Sequence, residues 1–96
     1  MDAQLLVRDE ARMIASILAG NREQYHELIR PYEQGVYKMA LSLMKNEADA
    51  EDLAQKVFLR VFKRLAHFRS RAKFSTLLIS ITLSEARSRL HPNGSD

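Results

Sequence analysis

Between Phe68 and Phe74 the chain carries Arg69, Arg71 and Lys73 and no carboxylate, a composition suited to holding a polyanion rather than to breaking bonds. Guanidinium and ammonium groups attract phosphates whatever the base sequence, and aromatic faces beside small polar residues can receive unstacked bases. A short loop that opens a helix adds backbone N–H donors suited to phosphate. The segment has all three ingredients, with His67 ahead of it and Ser70, Ser75 and Thr76 as the small polar residues. A competing reading makes both phenylalanines loop anchors set into a core. Phe74 fits that reading because it continues the apolar stripe of the helix that follows; Phe68 fits either role.

Enzyme chemistry finds little footing. His26, His67 and His91 lie far apart in the sequence, and none belongs to a zinc-binding HExxH pattern. Glu51 and Asp52 are adjacent, so on a helix their side chains diverge by about 100° and do not form a carboxylate pair. There is no glycine-rich phosphate loop and no nucleophile elbow. No metal or other cofactor is expected.

The element that must position the basic loop is the stretch before it. Ala50, Leu53, Val57, Val61 and Leu65 recur at three- and four-residue steps, one side of a helix. Asp49, Asp52, Gln55, Lys56, Leu59 and Lys63 fall largely off that stripe and face outward. Glu47, Asp49, Glu51 and Asp52 crowd the opening turns, and Arg60, Lys63 and Arg64 the last ones. The helix dipole favours that order of charge, but it does not account for the basic loop that follows.

The same asymmetry runs through the whole chain. Residues 1–55 hold six Lys or Arg against ten Asp or Glu, whereas residues 56–96 hold nine against two, behind a net charge of +3. A polyanion partner for the second half, or a solvated basic face, satisfies this division. With 96 residues the chain makes one domain over 1–96, burying about 60–65% of its surface, with 1–8 and 91–96 expected to fray. The absence of cysteine rules out disulfides and thiolate metal sites and fits a reducing compartment. No stretch approaches the ~18 apolar residues of a membrane span, and residues near the start lack a secretory pattern, so a cytoplasmic location is expected.

Four helices follow from the remaining periodicity. Val7, Ala11, Ile14 and Leu18 space out the first, with Gly20 placed to end it. Asn21 is positioned to cap the second, with Gln24 reaching back, and Tyr25, Leu28, Ile29, Tyr32, Val36, Met39, Ala40 and Leu43 form its stripe. Pro31 predicts a kink or break near Arg30, and Gly35 a place where another helix backbone comes close. Asn46 is the expected cap of the third. The fourth is expected to begin within 70–75 and run to about Leu90, with Phe74, Leu77, Leu78 and Ile81 inward. The fold class is an all-α bundle.

The string DAEDLAQ at 49–55, followed by VFL at 57–59 and FRSRAKFSTLLISI at 68–81, resembles region 2 of bacterial RNA polymerase sigma factors of the extracytoplasmic-function group. The resemblance covers roughly 21–90. It implies a compact helical domain that binds the clamp helices of the polymerase's largest subunit and melts and reads the promoter −10 element on the non-template strand. By motif position, the clamp-facing residues are Asp49, Asp52, Gln55, Lys56 and Leu59, with Asp52 and Gln55 as the main polar contacts. The loop from His67 to Lys73 and the start of the next helix would hold a flipped-out base, with Lys63, Arg64, Arg69 and Arg71 on phosphates. Phe68, Ser70, Lys73, Ser75, Thr76, Leu77, Ser80, Ser84 and Arg87 complete the implied DNA-binding set, Leu77 lying near the melting fork. Unstacking costs a few kcal/mol, which base–aromatic stacking can offset.

This chain departs from the family pattern at three of these places. Lys56 stands where glutamate is usual, Leu77 where tryptophan is usual, and Ser84 where asparagine is usual. The −35-reading domain that accompanies region 2 has no counterpart in these residues, so an excised fragment or a shortened relative is expected. The alternative function is a protein-interaction module with the sigma fold, binding polymerase or an anti-sigma protein without opening DNA. Non-specific basic binding, with steep salt dependence and no base preference, is a third.

Overall fold

A computed structural model of the protein describes residues 3–68 and 73–91, with side chains from Asp9 onward. Four helices run in order, α1 (Ala3–Leu18), α2 (Gln24–Met44), α3 (Glu47–Arg64) and α4 (Phe74–Leu90), with a 3-10 turn, Leu65–His67, after α3. No strand occurs among the described residues, and the all-α bundle expected from the periodicity is what forms. The core lies between α2, α3 and α4, with α1 packed along α2.

Gly20 ends α1 as its sequence position suggests. Its φ is +123°, its N–H bonds the Ile17 carbonyl at 3.1 Å, and the Asn21 N–H bonds that of Ser16 at 3.1 Å, the paired bonds of a Schellman turn. A side chain at that φ would be strained. Ile14 and Ile17 are buried, while Leu18, expected inward, is exposed. Ile17 stands three residues from Ile14 and Leu18 four, so the 3.6-residue period admits either, and packing chooses Ile17.

The cap expected at Asn21 does not form. Its side chain instead donates to the Ser16 hydroxyl at 2.8 Å. The first N–H groups of α2 are met by backbone carbonyls: Gln24 to Asn21 at 3.1 Å and Tyr25 to Arg22 at 3.0 Å. Gln24 Oε1 is buried without a hydrogen-bond partner rather than closing a capping box. Nor does Pro31 break the helix, since α2 runs through it. The proline is exposed and forfeits a single N–H, while Leu28, Ile29 and Val36 on either side are buried and hold the helix together. Gly35 does not admit a second backbone either. A Cβ there would meet nothing within 4 Å, so the glycine borders open space.

Lys45, at φ 59°, turns the chain between α2 and α3 and donates its N–H to the Leu41 carbonyl at 2.7 Å. Asn46 then caps α3, its side-chain oxygen accepting the Asp49 N–H at 3.0 Å. Asn46→Ala is expected to lower stability by about 0.5–2 kcal/mol, read as a lower urea midpoint with an unchanged slope. The stripe Ala50, Leu53, Val57, Val61 and Leu65 is fully buried.

Aromatic groups tie the bundle together. Tyr25 meets Phe62 edge-on at 4.9 Å and donates its hydroxyl to the Phe58 carbonyl, joining α2 to α3. Tyr32 meets Phe74 at 5.6 Å, joining α2 to α4, and donates to Glu10 on α1. Burial pushes the Tyr25 hydroxyl well above the usual phenol range. Burial does the same to Tyr32, helped by the Glu10 hydrogen bond and charge. Both therefore stay protonated as donors. In α4, Phe74, Leu78, Ile81 and Ala86 are buried, Leu77 is half-buried, and the buried Thr82 hydroxyl donates to the Leu78 carbonyl at 2.7 Å.

Candidate functional site

Since the inward stripe of α3 is fully buried, its other face is left to solvent. Asp49, Asp52, Gln55, Lys56, Leu59, Lys63 and Arg64 are all exposed. Asp49, Asp52, Lys56, Leu59 and Lys63 follow one another at steps of three and four, so they line a single ridge. Leu59 is 60% exposed, a large aliphatic group held in water among polar neighbours. Beside it a groove of about 490 Å³ opens between α2 and α3, floored by Tyr25, Ile29, Phe58 and Phe62, with Gln55 and Leu59 on one wall and Arg22, His26 and Glu33 on the other. The sequence reading put Gln55 and Leu59 on the outward side of α3. It named no groove, because which turn of α2 faces α3 depends on tertiary packing.

Two ion pairs join α3 to α4. Arg89 Nη1 lies 2.7 Å from Asp52 Oδ2, and Arg60 Nε lies 2.6 Å from Glu85 Oε2. The Asp52 side chain remains 59% exposed, so one neighbour on α4 neutralises it without covering it. Glu85 is the more enclosed carboxylate, at 13%. Neither pair is visible in the sequence, as partners 37 and 25 positions apart obey no helical spacing.

The basic edge begins where α3 ends. Lys63, Arg64 and His67 are exposed, and Phe68 is half-buried, its ring edge-on to Phe74 at 6.1 Å with an interplanar angle of 89°. Phe74 is 1% exposed and is a core residue, whereas Phe68 joins core packing to partial exposure. Arg69, Ser70 and Arg71 lie outside the described residues, as do residues 1–2 and 92–96 of the expected tails. Lys73 is exposed at the start of α4, where it is the N-cap residue and makes no side-chain capping bond. Along α4, Thr76, Ser80, Ser84 and Arg87 are exposed at steps of four, four and three, forming one polar ridge. Ser75 and Leu77 flank it, each half-buried.

Thus the described residues assigned to nucleic acid cluster at the end of α3 and along one ridge of α4, and those assigned to protein docking line α3. Among the described residues, no three His, Asp or Glu side chains stand together as metal ligands, and no helix is long and apolar enough to cross a membrane.

Comparison with known proteins gives the arrangement a family. The extracytoplasmic-function RNA polymerase sigma factor SigW of Bacillus subtilis is 25% identical over 85 residues, covering 88% of this chain and 46% of SigW. The RNA polymerase sigma-H factor of Pseudomonas aeruginosa is 21% identical over 90 residues, covering 94% of this chain and 47% of that protein. The probable RNA polymerase sigma factor RfaY of Xanthomonas campestris pv. campestris is 35% identical over 69 residues, 72% of this chain but 17% of its own length. The chain therefore spans about half the length of the first two relatives and less of the third. No solved structure matches. Residues 28–94, which take in most of α2 and all of α3 and α4, match Sigma-70 region 2, and the chain belongs to that family.

Proposed function

We propose that this domain serves transcription initiation by docking on the clamp helices of RNA polymerase's largest subunit through the outward ridge of α3, while the end of α3, the following loop and the ridge of α4 hold the opened non-template strand of the −10 element. The observation that carries the reading is the continuity of the two surfaces. The exposed ridge from Asp49 to Leu59 runs directly into Lys63 and Arg64, with Phe68 and Lys73 beyond them. Protein and nucleic acid would then be gripped side by side. In the docking half, Asp52 and Gln55 supply polar contacts and Leu59 an apolar one, next to the α2–α3 groove. In the DNA half, Lys63, Arg64, Lys73 and Arg87 hold phosphates, and Phe68, Ser75 and Thr76 border the space for an extruded base. Arg69, Ser70 and Arg71 complete the proposed loop by sequence position.

Titration of the chain with labelled single-stranded oligonucleotides, altered one position at a time across a −10-type sequence, tests the DNA half. At least one altered base is expected to weaken binding by about tenfold, in line with the usual cost of about 1–3 kcal/mol per wrong base in specific recognition. Equal affinity for every variant, with a steep salt dependence, would reduce the surface to a non-specific phosphate binder.

A second reading keeps the docking half and drops promoter opening. Leu77 favours it, since the residue at the expected melting position is half-buried and packed against the core, and presents no aromatic face. An anti-sigma protein is a partner consistent with either reading.

A further inference from the structure

We infer that Lys56 sets the specificity of the α3 docking ridge, a role that rests on the docking proposed above, and that the polymerase clamp presents a carboxylate to it. Along the seam between α3 and α4, Asp52, Lys56 and Arg60 follow one another at steps of four, one line on the helix. The two outer members reach across to α4, Asp52 to Arg89 at 2.7 Å and Arg60 to Glu85 at 2.6 Å. Lys56 lies midway between them, exposed, and joins no ion pair among the described residues.

The seam is therefore one carboxylate short. Three cations, Lys56, Arg60 and Arg89, stand against Asp52 and Glu85, and each of those carboxylates is already held by a guanidinium. Asp52, one turn before Lys56, would otherwise be its partner on the helix surface. Arg89 takes that place, and with a side chain only 24% exposed it is set into the seam. Glu85, at 13%, is enclosed beside Arg60. Other charges are no closer to hand. Asp49 stands about 10 Å back along the helix, beyond Asp52, and Glu51 points away by about 140°. Glu33 is on the far wall of the α2–α3 groove, and the next charge along the ridge is the cation Lys63.

A protein rather than a nucleic acid supplies the missing group. Leu59, three residues on from Lys56, is 60% exposed beside a groove floored by Tyr25, Ile29, Phe58 and Phe62. A phosphate backbone would leave these apolar groups without a counterpart, and Asp49 and Glu51 at the start of the same helix would repel it. A helix that covers Leu59 with an apolar side chain and carries Asp or Glu one turn away satisfies both. A cation in that place would meet Lys56 with Arg60 and Arg89 on either side, so the residue that admits one partner rejects another.

Calorimetry of the whole chain against a clamp-helix fragment of its polymerase tests this. Lys56→Glu is expected to weaken binding by about tenfold or more at low salt. The fold should persist, because the site is exposed and lysine and glutamate are comparable helix formers. Replacing the fragment's carboxylates with lysine one at a time should find one position where the parent chain loses about tenfold and Lys56→Glu regains it. Unchanged or tighter binding by Lys56→Glu, or no fragment variant that it prefers, would overturn the proposal. So would a Lys56→Glu chain that binds single-stranded DNA more weakly while sparing the fragment, which would make Lys56 a phosphate contact. If the parent fails to bind, or Leu59→Ala leaves affinity unaltered, the docking ridge itself falls and Lys56 with it. If Leu59→Ala weakens binding and Lys56→Glu does not, the ridge stands and only the carboxylate is refuted.

Discussion

Phe74→Ala is expected to cost about 3–5 kcal/mol of stability, enough to leave much of the population unfolded at ordinary temperature. Phe74 is 1% exposed, heads α4 and takes ring contacts from two directions, Tyr32 on α2 and Phe68 after the 3-10 turn. Truncation removes a large transfer term and both edge-to-face contacts, and leaves a void where three segments meet. The loss exceeds that at a single helix–helix contact because Phe68 and the start of α4 share this anchor. Chemical denaturation followed by circular dichroism reads the effect. A midpoint unchanged from the parent would show that Phe74 does not fasten α4. Phe74→Leu should recover much of the stability, since it restores apolar volume without the ring contacts.

Leu59→Ala should do the opposite: leave the fold intact and damage docking. Leu59 is 60% exposed, so truncation forfeits little core packing, and alanine is a better helix former than leucine. If the side chain becomes fully covered on the polymerase clamp, its burial contributes about 1.5–3 kcal/mol, roughly ten- to a hundredfold in Kd. The expected result is that loss against a clamp-helix fragment by calorimetry, with an unchanged denaturation midpoint. Asp52→Asn should cost less, because Arg89 already neutralises this carboxylate in the free domain and an exposed ion pair contributes little. Unaltered affinity in Leu59→Ala would take the α3 ridge out of the interface.

What the sequence discloses best is the inside of α3. Its stripe of Ala50, Leu53, Val57, Val61 and Leu65 recurs with strict helical spacing and is fully buried in the fold. Caps and breaks were less legible because they depend on competition among partners. The Asn46 side-chain oxygen accepts from the free Asp49 N–H, and caps. Asn21 has Ser16 within reach, and takes that instead. Pro31 announces a break that the burial of its neighbours overrides. The exposed ridges of α3 and α4 follow from the period once the buried side is known, so most described residues of the candidate surfaces could be placed on a face beforehand. Contacts across helices could not. Arg60 and Arg89 enter the sequence reading only as charges, Arg60 in the last turns of α3 and both in the count of the second half, yet each is bonded to a carboxylate on the neighbouring helix. Ile79, Leu83 and Leu90, exposed along α4, were in view but indistinguishable from core, since α4 is apolar on both sides.

The two ion pairs between α3 and α4 have opposite polarity: α3 supplies the carboxylate in one and the guanidinium in the other. Sliding α4 one way along α3 would drive Arg89 at Arg60, and sliding it the other way would drive Glu85 at Asp52. Either displacement replaces attraction with repulsion. The pairs thus add a small electrostatic bias to a register that the buried stripe already sets, and salt should weaken that bias without loosening the interior.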